Sequence, residues 1–372
     1  MTLARIEDFA LERYFARWEF AVEHQLSASD VEPLTLSELL ALADDEAKSR
    51  WDRLALGYTE SLGLPALREE IAREYEKLDP QHVVVVAGAE EGIFLTLHAL
   101  LSPGDEAIVV SPAYQSLQAI PRSIGARVIP IPLRFEHGWQ LDPDEIARAV
   151  SGSTRLIAVN FPHNPTGAHI TADVQRRLVE IAESAEAVLF SDEVYRGLEY
   201  TSADKLRAAA DLSERAVSLG VMSKSFALAG LRIGWLATRN RSLLDRVARL
   251  KDYTTICSSA PSEVLALIAL RARDRVLARS RAIVEDNLRR ASEFIAANQD
   301  DVEWIAPKAG SVGFPRFRKL NADEVSQQLA ERASVLMLPG SVFGYDKAFF
   351  RLGLGRRDFG IALDKLQRLI RI

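Results

Sequence analysis

The chain has 372 residues, of which 48% are hydrophobic and 26% are charged, as expected for a soluble globular protein. Its 46 basic and 52 acidic side chains give a formal net charge of −6, and no basic run offers a nucleic-acid surface. The length suggests two domains rather than one core.

The sequence also argues against an exported or membrane-spanning protein and against disulfide and metal sites. The first fifteen residues carry three acidic side chains where an export signal needs an apolar core, and no apolar stretch approaches the roughly 20 residues of a membrane span. The one cysteine, Cys257, rules out a disulfide within the chain, and the six scattered histidines lack HExxH spacing. We therefore expect a cytoplasmic protein without a metal site and without nucleic-acid or membrane partners.

Short apolar runs rich in valine and isoleucine alternate with longer amphipathic segments through the first two thirds of the chain. These runs predict strands at 82–89, 106–112, 126–133, 154–162, 187–195, 216–224 and 231–238. The runs are continuously apolar, which is typical of parallel strands covered on both faces. Because segments such as 90–101 and 172–185 between them have helical patterns, we expect an α/β domain with a mostly parallel sheet.

After about residue 240 the pattern becomes mainly helical, with short strands near "SVGFPRF" and "FFRLGLG". This change predicts a second, smaller α+β domain. We assign residues 37–245 to the large domain, and residues 1–36 together with 246–372 to the small domain and its N-terminal arm.

Several unusual residues follow the predicted strands, where the ligands of parallel sheets bind. "AGAEEG" (87–92) leads into a helix whose N-terminus suits a phosphate, although such a turn is also common as a plain connection. It lacks G-x-G-x-x-G, so a dinucleotide site is not supported. "NFPHNPTG" presents Asn164, and "SDEVY" presents Asp192 and Tyr195; a carboxylate at the end of an apolar strand needs a partner.

The segment "SLGVMSKSFALAGLRIGW" (218–235) places Lys224 among small and apolar residues, with Arg232 eight positions later. Apolar flanks indicate that both cations face something inside the protein. From this segment alone, a lysine that snorkels from the rim of a core explains Lys224 equally well.

Taken together, "NPTG", "SDEVY", "SKSFALAGLRIGW" and "FFRLGLG" occur in the order and at the spacings of fold-type I pyridoxal-phosphate enzymes. From about Tyr58 to Arg351 the chain resembles the class I/II aminotransferase family. By this resemblance, Lys224 forms a Schiff base with the aldehyde of pyridoxal 5′-phosphate, and Asp192 pairs with the protonated pyridine nitrogen. Tyr195 and Asn164 would hydrogen-bond the phenolate oxygen of the ring.

The resemblance also implies residues for the phosphate, the ring and the substrate. Tyr114 would stack on the cofactor ring; the alternative interpretation of this residue is an aromatic side chain of the core. Arg351 would bind the substrate α-carboxylate with help from Asn164 and Ser29. Val221 stands where many members carry a phosphate-binding hydroxyl. The residues expected at the phosphate are Gly88, Ala89, Glu90, Ser223, Arg232 and, from the second subunit, Tyr58.

The last of these, Tyr58, lies in "LGYTESLGLPALREEIA" (56–72), which resembles the family segment whose tyrosine crosses the dimer interface to the other subunit's cofactor. A tyrosine packed in a helix-entry loop is the alternative. The resemblance therefore implies a homodimer with shared active sites.

The opening segment 19–40 departs from ordinary members and is similar to the subgroup around capreomycidine synthase, which implies that 27–30 line the substrate side. The favoured function is amino-group transfer between an α-amino acid and a 2-oxo acid by a ping-pong mechanism. A lyase or cyclase acting at Cβ or Cγ is the alternative. A non-catalytic ligand-binding protein is a third possibility, against which the intact lysine, aspartate and arginines argue.

Overall fold

The computed structural model describes residues 6–370. Its α-helices are α1 (Ala10–Trp18), α2 (Leu36–Leu40), α3 (Asp45–Asp52), α4 (Pro65–Ala72), α5 (Gly88–Leu100), α6 (Ser116–Ile124), α7 (Pro143–Ala149), α8 (Ala172–Ser184), α9 (Ala209–Leu212), α10 (Arg241–Lys251), α11 (Ala260–Arg271), α12 (Arg273–Ala297), α13 (Ala322–Ala333) and α14 (Phe359–Ile370). Its strands are β1 (His24–Gln25), β2 (Val83–Val86), β3 (Glu106–Ser111), β4 (Arg127–Pro132), β5 (Thr154–Asn160), β6 (Val188–Asp192), β7 (Ala216–Val221), β8 (Gly234–Ala237), β9 (Val302–Glu303), β10 (Val312–Gly313), β11 (Arg316–Phe317), β12 (Val335–Leu336), β13 (Leu338–Pro339) and β14 (Phe350–Gly353).

A seven-stranded sheet with the order β2-β8-β7-β6-β5-β3-β4 forms the centre of the molecule. Strand β8 runs antiparallel to both of its neighbours, and every other pair in the sheet is parallel. Strands β2, β6, β7 and β8 are buried along their whole length. The seven predicted strands and the α/β class with a mostly parallel sheet are therefore confirmed.

Helices cover the sheet with their apolar stripes. Helix α8 shows how the local sequence does this: Thr171 caps its N-terminus by accepting from the Val174 N–H, and Leu178 and Ile181 are buried on one side. Helix α5 packs against β7 and β8, close enough that a Cβ on Gly92 would lie 2.8 Å from a methyl group of Leu219.

The register of the parallel strands brings the carboxyl ends of three of them together. Asn160, the last residue of β5, pairs with Asp192, the last residue of β6, and Asp192 pairs with Leu219 near the end of β7. Asp192 itself and the segments that carry Asn164 and Lys224 therefore lie at one edge of the sheet.

The C-terminal part contains short antiparallel pairings, β10-β14-β13 and β9-β11, together with α12, α13 and α14. Strand β1 of the N-terminal segment joins this part by pairing in parallel with β12. Helix α11 instead packs against α3 and α4. The domain limits 37–245 and 1–36 with 246–372 stay a prediction, and residues 1–5 and 371–372 lie outside the described residues.

Within residues 6–370, no helix is both long and apolar enough to cross a bilayer. The same part of the chain contains no group of three or more histidine, cysteine, aspartate or glutamate side chains that could hold a metal ion.

Candidate active site

A cavity of about 370 Å³ opens beyond the carboxyl ends of the parallel strands. Segments that are far apart in the sequence meet here, as the register of the sheet requires. The expected site residues that line it are Ser29, Ala89, Glu90, Tyr114, Asn164, Asp192, Tyr195, Ser223, Lys224 and Arg232. Gly88 and Arg351 adjoin this wall, whereas Tyr58 does not line the cavity.

Lys224 follows β7 and its Nζ donates a hydrogen bond to Ser29 Oγ at 2.8 Å. Burial lowers the pKa of the Lys224 ammonium, an effect that the charge of Asp30 opposes and that of Arg351 reinforces. Lys224 forms no ion pair with any described residue. Lowering the pKa increases the fraction of neutral amine, which is the nucleophilic form of a lysine.

Asp192, at the end of β6, is 5% exposed and accepts a hydrogen bond from the Val194 N–H at 3.3 Å. Burial raises the pKa of Asp192 to about 7, and the Val194 N–H and the charge of Lys224 lower it. No cation of the described residues lies within ion-pair distance of this carboxylate. A protonated ring nitrogen bound here would supply the missing positive charge.

Tyr195 is 1% exposed, and its hydroxyl has no hydrogen-bond partner among the residues that the structure describes. Burial raises the pKa of Tyr195 to about 12, whereas the charge of Arg351 and the nearby Ser29 hydroxyl lower it. A buried phenol without a partner is costly unless a ligand completes it. Its position on the cavity wall therefore suits an oxygen of a bound ligand.

Arg351 lies on β14 with 1% of its surface exposed. Its Nε and Nη2 donate to Ser27 O at 3.0 and 2.7 Å, and its Nη1 donates to Asn164 Oδ1 at 3.2 Å. Burial lowers the pKa of Arg351, and no carboxylate of the described residues pairs with it. A carboxylate from a substrate can satisfy this buried charge in a two-point contact.

The turn that begins α5 forms the other end of the cavity. Gly88 has φ +81°, and a Cβ there would lie 2.6 Å from Arg232 Nη2, so only glycine lets the guanidinium approach. No side chain caps the N-terminus of α5, and Arg232 forms no ion pair within residues 6–370. Free N–H groups beside an unpaired guanidinium suit a phosphate. Val221 is buried in β7 and offers no hydroxyl.

Tyr114 and Tyr58 have opposite surroundings. The ring of Tyr114 packs at 5.2 Å from the ring of Phe9, and its hydroxyl lies 3.5 Å from Glu12 Oε1. Burial raises the pKa of Tyr114, and so do the charges of Glu90 and Glu12. Tyr58 is 90% exposed and lies outside the cavity of its own chain.

Several side chains that line the cavity were not predicted from the sequence to belong to the site. Helix α1 brings Glu12 and Phe15 to it, and Arg356 reaches it in an ion pair with Asp30 at 3.0 Å. A partial signal exists in the sequence of α1, where apolar side chains recur at helical spacing and give the helix one apolar face: Leu11, Tyr14, Phe15 and Trp18. Glu19, in the segment 19–40, also lines the cavity.

These groups match pyridoxal 5′-phosphate, the cofactor that the resemblance implies. The unpaired carboxylate of Asp192, the orphaned hydroxyl of Tyr195 and the glycine turn beside Arg232 can hold a pyridine nitrogen, a ring oxygen and a phosphate, respectively. Lys224, whose pKa is lowered, lies on the same wall.

The chain is similar to known enzymes along most of its length. The family profile "Aminotransferase class I and II" matches residues 26–358. Capreomycidine synthase of Streptomyces vinaceus is 34% identical over 92% of this chain and 86% of that protein. The arginine–pyruvate transaminase of Pseudomonas aeruginosa is 32% identical over 80% of this chain and 77% of that protein.

A solved structure extends this similarity to three dimensions. A PLP-dependent aminotransferase from Streptococcus suis superposes with a TM-score of 0.91 at 28% identity, over 99% of this chain and 97% of that chain. The chain thus belongs to the class I and II aminotransferase family, as a fold-type I enzyme that uses pyridoxal 5′-phosphate to transfer amino groups.

Proposed function

We propose that this enzyme transfers the amino group of an α-amino acid with a cationic side chain to a 2-oxo acid. One observation carries the choice of substrate. Three glutamates of the cavity, Glu12, Glu19 and Glu90, form no ion pair with any residue between 6 and 370, while Arg351 is free for a carboxylate.

The charges of the cavity support this substrate class. Asp30 is neutralised by Arg356, and Asp192 is reserved for the ring nitrogen. Burial raises the pKa of Glu19, and the negative charges of Asp30 and Glu12 raise it further. Burial likewise raises the pKa of Glu90 to about 7. A cation from the substrate would lower the cost of holding these carboxylates together.

The proposal assigns the chain's residues to three tasks. Asp192, Tyr195 and Asn164 hold the ring, and Tyr114 stacks on it. The phosphate is held by the turn at Gly88, Ala89 and Glu90, together with Ser223 and Arg232. Arg351, Asn164 and Ser29 bind the substrate next to Lys224.

The cofactor, when bound, supplies an electron sink for the charge that develops at substrate Cα. Lys224 would hold the cofactor through its amine and, once that amine is free, would move the proton of substrate Cα as general base and acid. The Ser29 hydroxyl, 2.8 Å from Lys224 Nζ, orients this amine. The donor leaves as a 2-oxo acid whose oxygen comes from water, and a second 2-oxo acid takes up the amino group in the reverse sequence.

A cyclisation at Cβ or Cγ is the second candidate. It is favoured by the similarity to capreomycidine synthase, which covers 92% of this chain. The arginine–pyruvate transaminase supports the first candidate, with a substrate whose side chain is cationic.

A cytoplasmic homodimer is part of the proposal. Leu56 and Tyr58 are 86% and 90% exposed, and Tyr253 is 91% exposed on a loop that Thr59 reaches through a hydrogen bond to Ser258 O. Exposed apolar side chains of this size support an interface with a second copy, to whose phosphate site Tyr58 would contribute. A single cysteine is consistent with a reducing compartment.

The substrate class is tested by comparing arginine with citrulline, its neutral near-isostere, as amino donors. Pyruvate and 2-oxoglutarate serve as acceptors, and formation of the new amino acid is measured. We expect kcat/KM at least about tenfold higher for arginine, since a charged contact is worth more than a neutral one. The double variant Glu12→Gln and Glu19→Gln should lose most of this preference.

Equal kcat/KM values for the two donors would contradict the cationic substrate.

Transamination and cyclisation are distinguished by omitting the acceptor. An aminotransferase then forms about one equivalent of 2-oxo acid per subunit and stops, whereas a cyclase consumes its substrate continuously without forming one.

A further inference from the structure

Glu91 lies in the first turn of α5, directly after residues 88–90, which we call the phosphate turn. Its carboxylate is nevertheless not part of the cavity wall. Its Oε2 accepts from the Ala87 N–H at 2.5 Å. Its Oε1 accepts from Thr254 Oγ1 at 2.5 Å and from Thr255 Oγ1 at 2.8 Å. One carboxylate therefore joins the start of the phosphate turn to the loop between α10 and α11.

The contact with Ala87 has a clear use at this helix terminus. Ala87 is the N-cap residue of α5 and has no side chain that could cap the helix. Glu91 is the fourth residue of the helix, one position beyond the acid of a capping box, and its carboxylate likewise satisfies the N–H of the N-cap residue. The methyl side chain of Ala87 accepts from none of the first N–H groups of the helix, which stay free for an anion. Glu91 thus stabilises the turn without occupying its donors.

The loop at the other end of the contact is mostly exposed but is joined to the interior by the buried Lys251. Ile256 adopts φ +62°, which is costly for a β-branched residue, and its carbonyl accepts from the buried Lys251 Nζ at 3.3 Å. Burial lowers the pKa of Lys251, and the charge of Glu91 is the largest influence that raises it again. The Glu91 carboxylate therefore holds two threonine hydroxyls and faces a buried cation.

We infer that Glu91 is a positioning residue through which the loop 252–259 sets the phosphate affinity of the turn 88–90. The inference rests on the proposed phosphate role of that turn. When the threonines orient the carboxylate, its second oxygen fixes the Ala87 peptide and hence the direction of the N–H groups that follow. The loop is then coupled to a site whose ligand it does not touch.

The test uses the full-length protein and titrates it with pyridoxal 5′-phosphate and, separately, with inorganic phosphate. The variants are Glu91→Gln, the pair Thr254→Val with Thr255→Val, and all three changes together. Glu285→Gln, on the exposed side of α12, is the matched control. Dissociation constants, the melting temperature without ligand, and kcat at saturating cofactor are measured for each protein.

We expect Glu91→Gln to weaken both ligands about tenfold and the threonine pair to weaken them about threefold, since hydrogen bonds to a charged group are lost. In the Glu91→Gln background the threonine changes should have no further effect. The value of kcat at saturating cofactor should stay within about twofold of the control, because Glu91 touches no reacting group.

Control-like affinity in Glu91→Gln, or threonine effects of the same size in both backgrounds, would overturn the coupling. If Glu91→Gln does not fold, the threonine pair alone decides, since undiminished affinity in it contradicts the role of the loop. Failure of the unaltered protein to bind pyridoxal 5′-phosphate would instead contradict the proposed use of the turn.

Discussion

Lys224 has the two properties that a cofactor-bearing lysine needs. Its pKa is lowered by burial, and its Nζ is held by Ser29 on the wall of the cavity rather than in an ion pair. Neither property belongs to an ordinary surface lysine, whose charge is solvated. The snorkelling alternative that the sequence left open does not explain a hydrogen bond of Nζ inside the cavity.

We expect Lys224→Ala to lower kcat by several orders of magnitude, because it removes both the covalent attachment and the group that moves the Cα proton. The cofactor should still bind through phosphate and ring contacts. Turnover and the visible absorbance of the cofactor are measured, with the exposed Lys319→Ala as control. Normal turnover in Lys224→Ala would refute the assignment.

The buried carboxyl groups of Asp192 and Glu90 make the cofactor-free protein sensitive to pH. Burial raises both pKa values to about 7, so the folded state binds protons that the unfolded state, with ordinary carboxyl groups, has released. The free energy of unfolding should therefore be highest below about pH 4 for these groups and fall until about pH 7.

The expected result is a melting temperature of the cofactor-free protein that drops by a few degrees between about pH 5 and about pH 8. Asp192→Asn should reduce this drop, and so should bound cofactor, whose ring cation lowers the pKa of Asp192. An equal drop in Asp192→Asn and in the unaltered protein would show that Asp192 is not the titrating group.

At the scale of single elements, the entry to α5 shows how a turn and a distant strand form one site. Gly88 allows the guanidinium of Arg232, two residues before β8, to lie against the helix N-terminus. A Cβ would fill that approach. Glycine is therefore required at position 88 for two reasons: its backbone has a positive φ, and a Cβ there would collide with the guanidinium of Arg232.

Gly104 provides a control for the first reason alone, since it has φ +91° and no atom within 4 Å of its Cβ position. We expect Gly88→Ala and Gly104→Ala each to cost about 1 kcal/mol of unfolding free energy. Only Gly88→Ala should also weaken the binding of pyridoxal 5′-phosphate, by about tenfold or more. Denaturant unfolding and cofactor titration separate the two effects, and equal cofactor affinity in both variants would contradict the contact argument.

At the scale of the whole molecule, the exposure of Tyr58 is explained if it completes the site of a second copy. A hydroxyl from Tyr58 would replace the donor that Val221 cannot provide. The prediction is tested by mixing Lys224→Ala with Tyr58→Ala under conditions of subunit exchange.

In a hybrid dimer with shared sites, one site carries both defects and the other carries neither. Complete exchange of equal amounts should therefore leave about a quarter of all sites intact, with activity well above that of either parent. Activity that stays at the parental level after proven exchange would place Tyr58 outside the other copy's site.

Much of the seven-stranded sheet and its surroundings could be predicted because the signals are local. A buried parallel strand requires a continuous apolar run, and a turn at its end requires particular residues such as Gly88 or the prolines around Asn164. These requirements fall on residues that are neighbours in the chain. The seven strands, their helices and the segments beyond their carboxyl ends were therefore readable before any contact was known.

Contacts between distant segments were not readable in this way. Glu12 lies 102 positions from Tyr114, Asp30 lies 326 positions from Arg356, and Glu91 lies 163 positions from Thr254. Each pair meets because whole elements pack in a particular arrangement, and a charged or hydroxyl side chain has no local pattern that names its partner. The acidic lining of the cavity and the carboxylate behind the phosphate turn were thus decided by tertiary packing.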